Sequence, residues 1–313
     1  MMKMRKTIVT LVALCAAMAA NATVLRVSNV SGSTAPYSTF EAALTAAAEG
    51  DTIMLDASPT AYTFGKTVDK RVVILGPGYW LKSNGIIQEG GNTASFSSNT
   101  PAFWIGASGV VISGVWFTDR VVINNNCNDV VIKRCCLRGG IEIASKAQRC
   151  VLHQNHIRPD GSEAQRIKGS YHQITNNIFI THFQVGYTFY NMPHAYIAYN
   201  TFLGDNRIRL WDSGDCTVEK NISGGDFYDS GNGVSSYSDN IIIENTYNTY
   251  DNDIRDSALK ALNWSDTHGA FAGDSPYVIS GVPSAPVIED LVVPTTVEYG
   301  SKMNVTIKVG VQK

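Results

Sequence analysis

Charge, paired cysteines and long apolar runs are all scarce in this sequence. Charged residues make up 17% of its 313 positions, and the formal net charge is −2. With no basic excess there is nothing to hold a phosphate backbone or an anionic membrane surface, so nucleic acid and membrane are not expected as partners. Zinc sites are not expected either, because no CxxC pair occurs and no histidine pair sits at zinc spacing. Beyond the N-terminus, no apolar stretch is long enough for a membrane span. Neither a Ser-His-Asp order nor a phosphate-cradling glycine loop can be recognised.

The first 22 residues read "MMKMRKTIVTLVALCAAMAANA". A basic head (Lys3, Arg5, Lys6), a short apolar core and a closing Ala20-Asn21-Ala22 are the parts of a secretory signal peptide. Leu14 is too large for the usual lipid-attachment box before Cys15, so cleavage is expected after Ala22. Its loss shifts the formal charge to about −5, because three basic residues and no acids leave. An exported product follows, in the periplasm, at the cell surface or outside the cell. Five cysteines remain: Cys127, Cys135, Cys136, Cys150 and Cys216. An odd number at irregular spacing is no disulfide framework, so they read as buried thiols.

What the sequence does have is a repeat. Ile112, Ile132, Leu152, Ile174, Ile197, Val218 and Ile242 recur at steps of 20 to 24 residues. Three positions after each stand Val115, Cys135, Asn155, Asn177, Asn200, Asn221 and Asn245. Two further on come Phe117, Leu137, Ile157, Phe179, Phe202, Ser223 and Tyr247. This period, with β-branched residues at alternate positions and frequent Gly and Asn, predicts a solenoid of short strands. A leucine-rich repeat would need several leucines per turn, which are missing. The expected fold is all-β, a single-stranded right-handed parallel β-helix. In it the Asn column marks one coil corner, with amides bonded along the axis and a backbone able to turn left-handed.

Ahead of the coils, Ser38-Thr39-Phe40-Glu41 reads as a capping box opening a short helix from about Thr39 to Glu49, stopped by Gly50, that lids the N-terminal end of the core. A long excursion is expected between Gly76 and Gly109, within or beside the first coil. After Tyr250 the period is lost and prolines multiply. The division is therefore residues 1–22 as signal peptide, 23–250 as β-helix with its N-terminal cap, and 251–313 as a terminal cap with tail strands.

The "FEAALTAAAEGDTI" stretch, the "VVILGPGY" strand and the "I-x-x-N-x-F" coils together resemble the pectin-lyase-like superfamily over roughly residues 24–250. The tail "DTHGAFAGDSPYVISGVPSAPVIEDL" is similar to the end of secreted bacterial β-helix proteins of unassigned activity. That superfamily holds polysaccharide lyases, hydrolases and esterases as well as non-catalytic adhesins, so the resemblance implies a fold and a polysaccharide groove without choosing a reaction.

On the groove strand, alternation that turns Ile141, Ile143, Ile167, Ile208 and Leu210 inward sends Glu142, Arg166, Lys168, Arg209 and Trp211 outward, with Asp212 and Tyr228 near the same face. Cations for uronates, acids for hydroxyls and a ring for a sugar face suit a glycan site, and a solvated sheet face would look the same. Arg166-Ile167-Lys168 spells the substrate-holding stretch of polygalacturonases, but the paired aspartates and Gly-His-Gly of that resemblance are missing. Glu142 and Asp212 stand three coils apart, about 14 Å by strand spacing, too far to share one bond. Three readings stay open: a non-catalytic glycan-recognising module, a lyase or hydrolase of uronic-acid glycans, and a purely structural envelope protein. No cofactor or metal is expected, calcium candidates such as Asp226, Asp229 and Asp251-Asn252-Asp253 being scattered. The chain is expected to be a monomer, and its histidines are expected in the core or at corners.

Overall fold

The computed structural model describes residues 22–82, 91–98, 100–158, 166–180, 189–203, 208–231, 233–242, 265–282, 286–292 and 306–311. The expected leader before Ala22, Asn245 and the Asp251-Asn252-Asp253 loop lie outside these residues. Three all-parallel sheets of ten, nine and seven strands run the length of the stack. One strand per coil enters each sheet, making a right-handed parallel β-helix of about eight turns. No helix among the described residues is long and apolar enough to cross a membrane.

The first sheet follows the repeat. Ile112, Ile132, Leu152, Ile174, Ile197 and Val218 stand in register on successive coils, and each is fully buried. The next rung corrects the expectation: Val218 pairs with Tyr237, while Ile242 lies beside Ser223 in the second sheet. The final coil is shorter than its predecessors, and an aromatic residue holds the place where an aliphatic one was expected. Upstream, the column continues through Leu25, Ile53 and Ile74. The long excursion lies inside the stack, since it supplies Ser95–Ser98 to the second sheet and Ala102–Ile105 to the third.

The Asn column is a hydrogen-bonded ladder. Both the backbone N–H and the Nδ2 of Asn155 donate to Asn177 Oδ1, at 2.9 and 3.0 Å. Asn177 does the same to Asn200, Asn200 to Asn221, and Asn221 to Asn240. The fifth rung is therefore Asn240, three residues after Tyr237. Each Nδ2 also reaches a backbone carbonyl of an earlier coil, as Asn200 does to Ile174 O at 2.7 Å. Four of these amides are fully buried, where satisfied polar groups hold and unsatisfied ones are costly.

The left-handed backbone belongs to the residue before each rung, not to the rung itself. Gly114, Arg134, Gln154, Asn176, Tyr199, Lys220 and Asp239 all have positive φ. They make the turn, so the following side chain swings into the core and their own side chains line the outside of the corner.

At the N-terminal end, helix α1 (Phe40–Ala46) places Phe40 against Phe64, Phe96 and Phe103, with ring centroids 4.9 to 6.2 Å apart. Burying such a ring contributes roughly 2–3 kcal/mol. Thr39, rather than Ser38, is the N-cap, accepting from Ala42 N at 3.2 Å. Glu41 is not part of a capping box, because its carboxylate accepts the Gly65 N–H. The helix stops at Ala46, short of Glu49, and Lys70 Nζ takes the carbonyls of Leu44, Thr45 and Ala47.

Residues 265–282 do not close an end of the helix. They run back along its side as a strap, over the outer face of the second sheet. Gly269 N–H donates to Lys220 O, Asn176 Nδ2 to the carbonyls of Ala270 and Ala272, Gln154 Nε2 to those of Ser275 and Pro276, and Arg134 Nη1 to Val282 O. Beneath lies a second apolar cluster containing Tyr79, Cys136, Ile178, Ile180, Leu203, Ala270 and Tyr277. Beyond the strap, Pro286–Val292 and Thr306–Val311 pair antiparallel as a sheet of their own.

Candidate ligand-binding face

The third sheet presents its outer face in two rows. Backbone register sets Trp104, Val122, Glu142 and Arg166 side by side on consecutive coils. Two positions along each strand, the second row passes through Lys168 to Tyr190 and Trp211, the last two directly paired. Ile141, Ile143, Ile167 and Leu210 face inward and are buried, as alternation requires. The expected residues thus divide, with Glu142 and Arg166 in one row and Lys168 and Trp211 in the other. The backbone of Arg209 pairs with that of Tyr228, and the side chains of both lie outside the described residues. Asp212 sits just past its strand with φ 47°, turning the chain.

Contacts within these rows are specific. Arg120 Nη1 donates to Glu142 Oε2 at 3.1 Å, with both side chains about one-third exposed. Lys168 Nζ lies 5.2 Å from the centre of the Tyr190 ring. Tyr190 and Trp211 stack nearly parallel, at 5° and 6.3 Å. Because the three follow one another along the axis, Lys168 covers one face of Tyr190 and Trp211 the other. Tyr190 therefore offers its edge to a ligand. The sequence pointed to residues 185–189 for this coil, but the strand is Phe189–Tyr190, and Tyr190 escaped notice among several neighbouring aromatics.

Several other ionisable groups work within the scaffold. Asp229 accepts from the Tyr237 hydroxyl at 2.7 Å and from Ser235 N–H at 2.8 Å, and burial together with that carboxylate raises the Tyr237 pKa. His172 is buried, with Nδ1 accepting the Cys150 N–H and Nε2 near Lys168 O, so the ring bridges two coil segments as a neutral imidazole. Burial holds its pKa low. His194 stacks on Tyr171 at 4.7 Å, and His153 bonds Thr175. All five cysteines are free and buried, and desolvation pushes Cys135 and Cys150 up to about 12. Among the described residues no group of three His, Cys, Asp or Glu is placed to hold a metal ion.

The second sheet tells of a feature that sequence reasoning missed. Its outward residues Cys136, His156 and Ile178 are as buried as the inward ones. The signal was present in unbroken runs such as "NIFI", since a strand covered on both faces has no polar alternation. Comparison with known proteins adds no assignment: no family model, no curated protein and no solved structure matches the chain.

Proposed function

We propose that this is an exported β-helix of the pectin-lyase-like type that recognises an acidic polysaccharide along its third sheet, without catalysis. The observation carrying this reading is the row Lys168–Tyr190–Trp211 beside Arg166, which sets cations and ring edges at coil spacing on a face that the described strap does not reach. A uronate chain laid along the axis would meet a cation for its carboxylates and apolar edges for its ring hydrogens. The non-catalytic half rests on Glu142, whose carboxylate is already engaged by Arg120, and on Asp212, three coils away and past its strand. A hydrolase needs two carboxylates about 5–9.5 Å apart across one bond.

The test is retention on immobilised uronic-acid polysaccharides, with absorbance of unsaturated products and reducing ends monitored in parallel. Retention without product, weakened in Trp211→Ala, is the expected result. Product formation abolished by Lys168→Ala would replace this reading with a lyase. No retention on any glycan would leave a structural envelope role.

A further inference from the structure

The outer face of the second sheet holds two buried side chains, Trp116 and His156, whose ring nitrogens find no partner among the described residues. Trp116, Cys136 and His156 form one outward row on consecutive coils. Arg138 and Arg158 follow two positions further along. His156 is 1% exposed, and neither of its ring nitrogens has a hydrogen-bond partner among the described residues. Trp116 Nε1 is likewise buried without one. Orphaned groups of this kind are rare in folded proteins and point to an occupant.

Trp80 closes over both. Its indole stands edge-on, 4.8 Å from the His156 ring and 6.0 Å from that of Trp116. Its φ of 49° is a left-handed backbone that bulky side chains seldom adopt, and such strain gathers where a ligand is clamped. The strap holds this geometry in place: Tyr79 N–H donates to Ser280 O at 2.8 Å, and the Tyr79 and Tyr277 hydroxyls bond each other. A Cβ on Gly78 would strike the same Ser280 carbonyl.

The charged groups that act on His156 are both arginines. Arg158 is 6% exposed, and the Arg158 and Arg138 guanidiniums add to burial in holding His156 neutral, down at about 3. Such surroundings repel a cation and attract an anion, while the indole and imidazole N–H groups supply directed donors.

We propose that Trp80, Trp116 and His156, backed by Arg138 and Arg158, form a pocket for one small oxyanion group: the carboxylate of an acidic sugar, or a sulfate or phosphate. This site is separate from the third sheet and does not depend on the glycan reading.

The experiment titrates the mature full-length chain with sodium glucuronate, sulfate and phosphate against sodium chloride at matched ionic strength, following tryptophan emission and Tm. A saturable change in emission with a Tm rise of about 2–4 °C is expected for at least one anion. His156→Phe keeps the ring volume and removes the orphaned nitrogens, so it should fold and bind at least ~10-fold more weakly. Arg138→Gln should weaken binding as well. Response to glucuronate alone identifies an acidic sugar as the source, and response to sulfate or phosphate alone an inorganic or ester oxyanion. No saturable response beyond chloride overturns the proposal. So does an undiminished response in His156→Phe, or one abolished by Trp211→Ala, either of which would place the anion elsewhere.

Discussion

On the second sheet, Ile178 points outward and is as buried as Phe179, which points inward; on the third, Ile167 is buried and Arg166 beside it is open. Both pairs come from the same stack of coils. The difference is the strap, which turns the outer face of the second sheet into a second core and does not reach Arg166 on the third. Damage beneath the strap should therefore appear as lost stability, and damage on the third sheet as lost glycan retention.

The frame both sheets share is the Asn corner, and the largest effect is expected there. Asn200→Leu removes the acceptor of the buried Asn177 N–H and a donor to the Ile174 carbonyl, a loss of roughly 2–6 kcal/mol at about 1–3 per group. Asn240→Leu, on the part-buried last rung, should cost less than half of that. Equal costs in urea unfolding would show that the ladder gains nothing from burial.

Acid should separate the two sheets next. The His156 value is about 3 in the folded protein against 6.5 for the free side chain, so the unfolded chain binds the proton first. Its contribution is complete above about pH 6.5 and drains away as pH falls toward 3, on the order of 5 kcal/mol in all. His153 and His172, also lowered by burial, act in the same direction. His156→Phe should flatten the acid limb of stability against pH, and an unchanged limb would mean that the ring is hydrated in the folded state.

A smaller effect tests the strap alone. Gln154→Ala removes the donor to the Ser275 and Pro276 carbonyls and the acceptor for Arg134 Nε, at a cost of about 1–3 kcal/mol. Amide exchange should rise within residues 265–282, and dye binding should report Ile178 and Leu203. Exchange that rises evenly over the whole chain would mean that strap and coils unfold as one unit.

How much of this was legible in the sequence follows the same division. Inward residues announce themselves by period, which is why the column from Ile112 to Val218 and the Asn rungs through Asn221 could be placed. The last rung failed because Tyr237 does not resemble the aliphatic residues above it. The outward face of the third sheet was readable for Glu142, Arg166, Lys168 and Trp211, since alternation fixes direction once the inward set is known. The partnering of Glu142 by Arg120 was not, because which neighbour a long side chain meets depends on rotamers. The strap was invisible for a different reason: its contacts run mostly from side chains to backbone carbonyls, and a carbonyl leaves no mark in a sequence. Only the missing alternation in "NIFI" hinted that something lay over that strand.

The smallest stability effect belongs to the third sheet, and it is the one that decides what the face is for. Lys168 above Tyr190 is a cation–π contact at the surface, worth about 0.5–1 kcal/mol. Lys168→Ala should move the urea midpoint by no more than that. Trp211→Ala removes one wall of the Tyr190 stack, yet the residue is only half-buried, so the variant should likewise unfold close to the parent. Both variants should nonetheless lose retention on acidic glycan, Lys168→Ala with a weaker salt dependence because one counterion exchange is gone, and Trp211→Ala with the salt dependence unchanged. If instead both lose several kcal/mol of stability and no retention, the row is structural. The third sheet would then differ from the second only in having no strap to cover it.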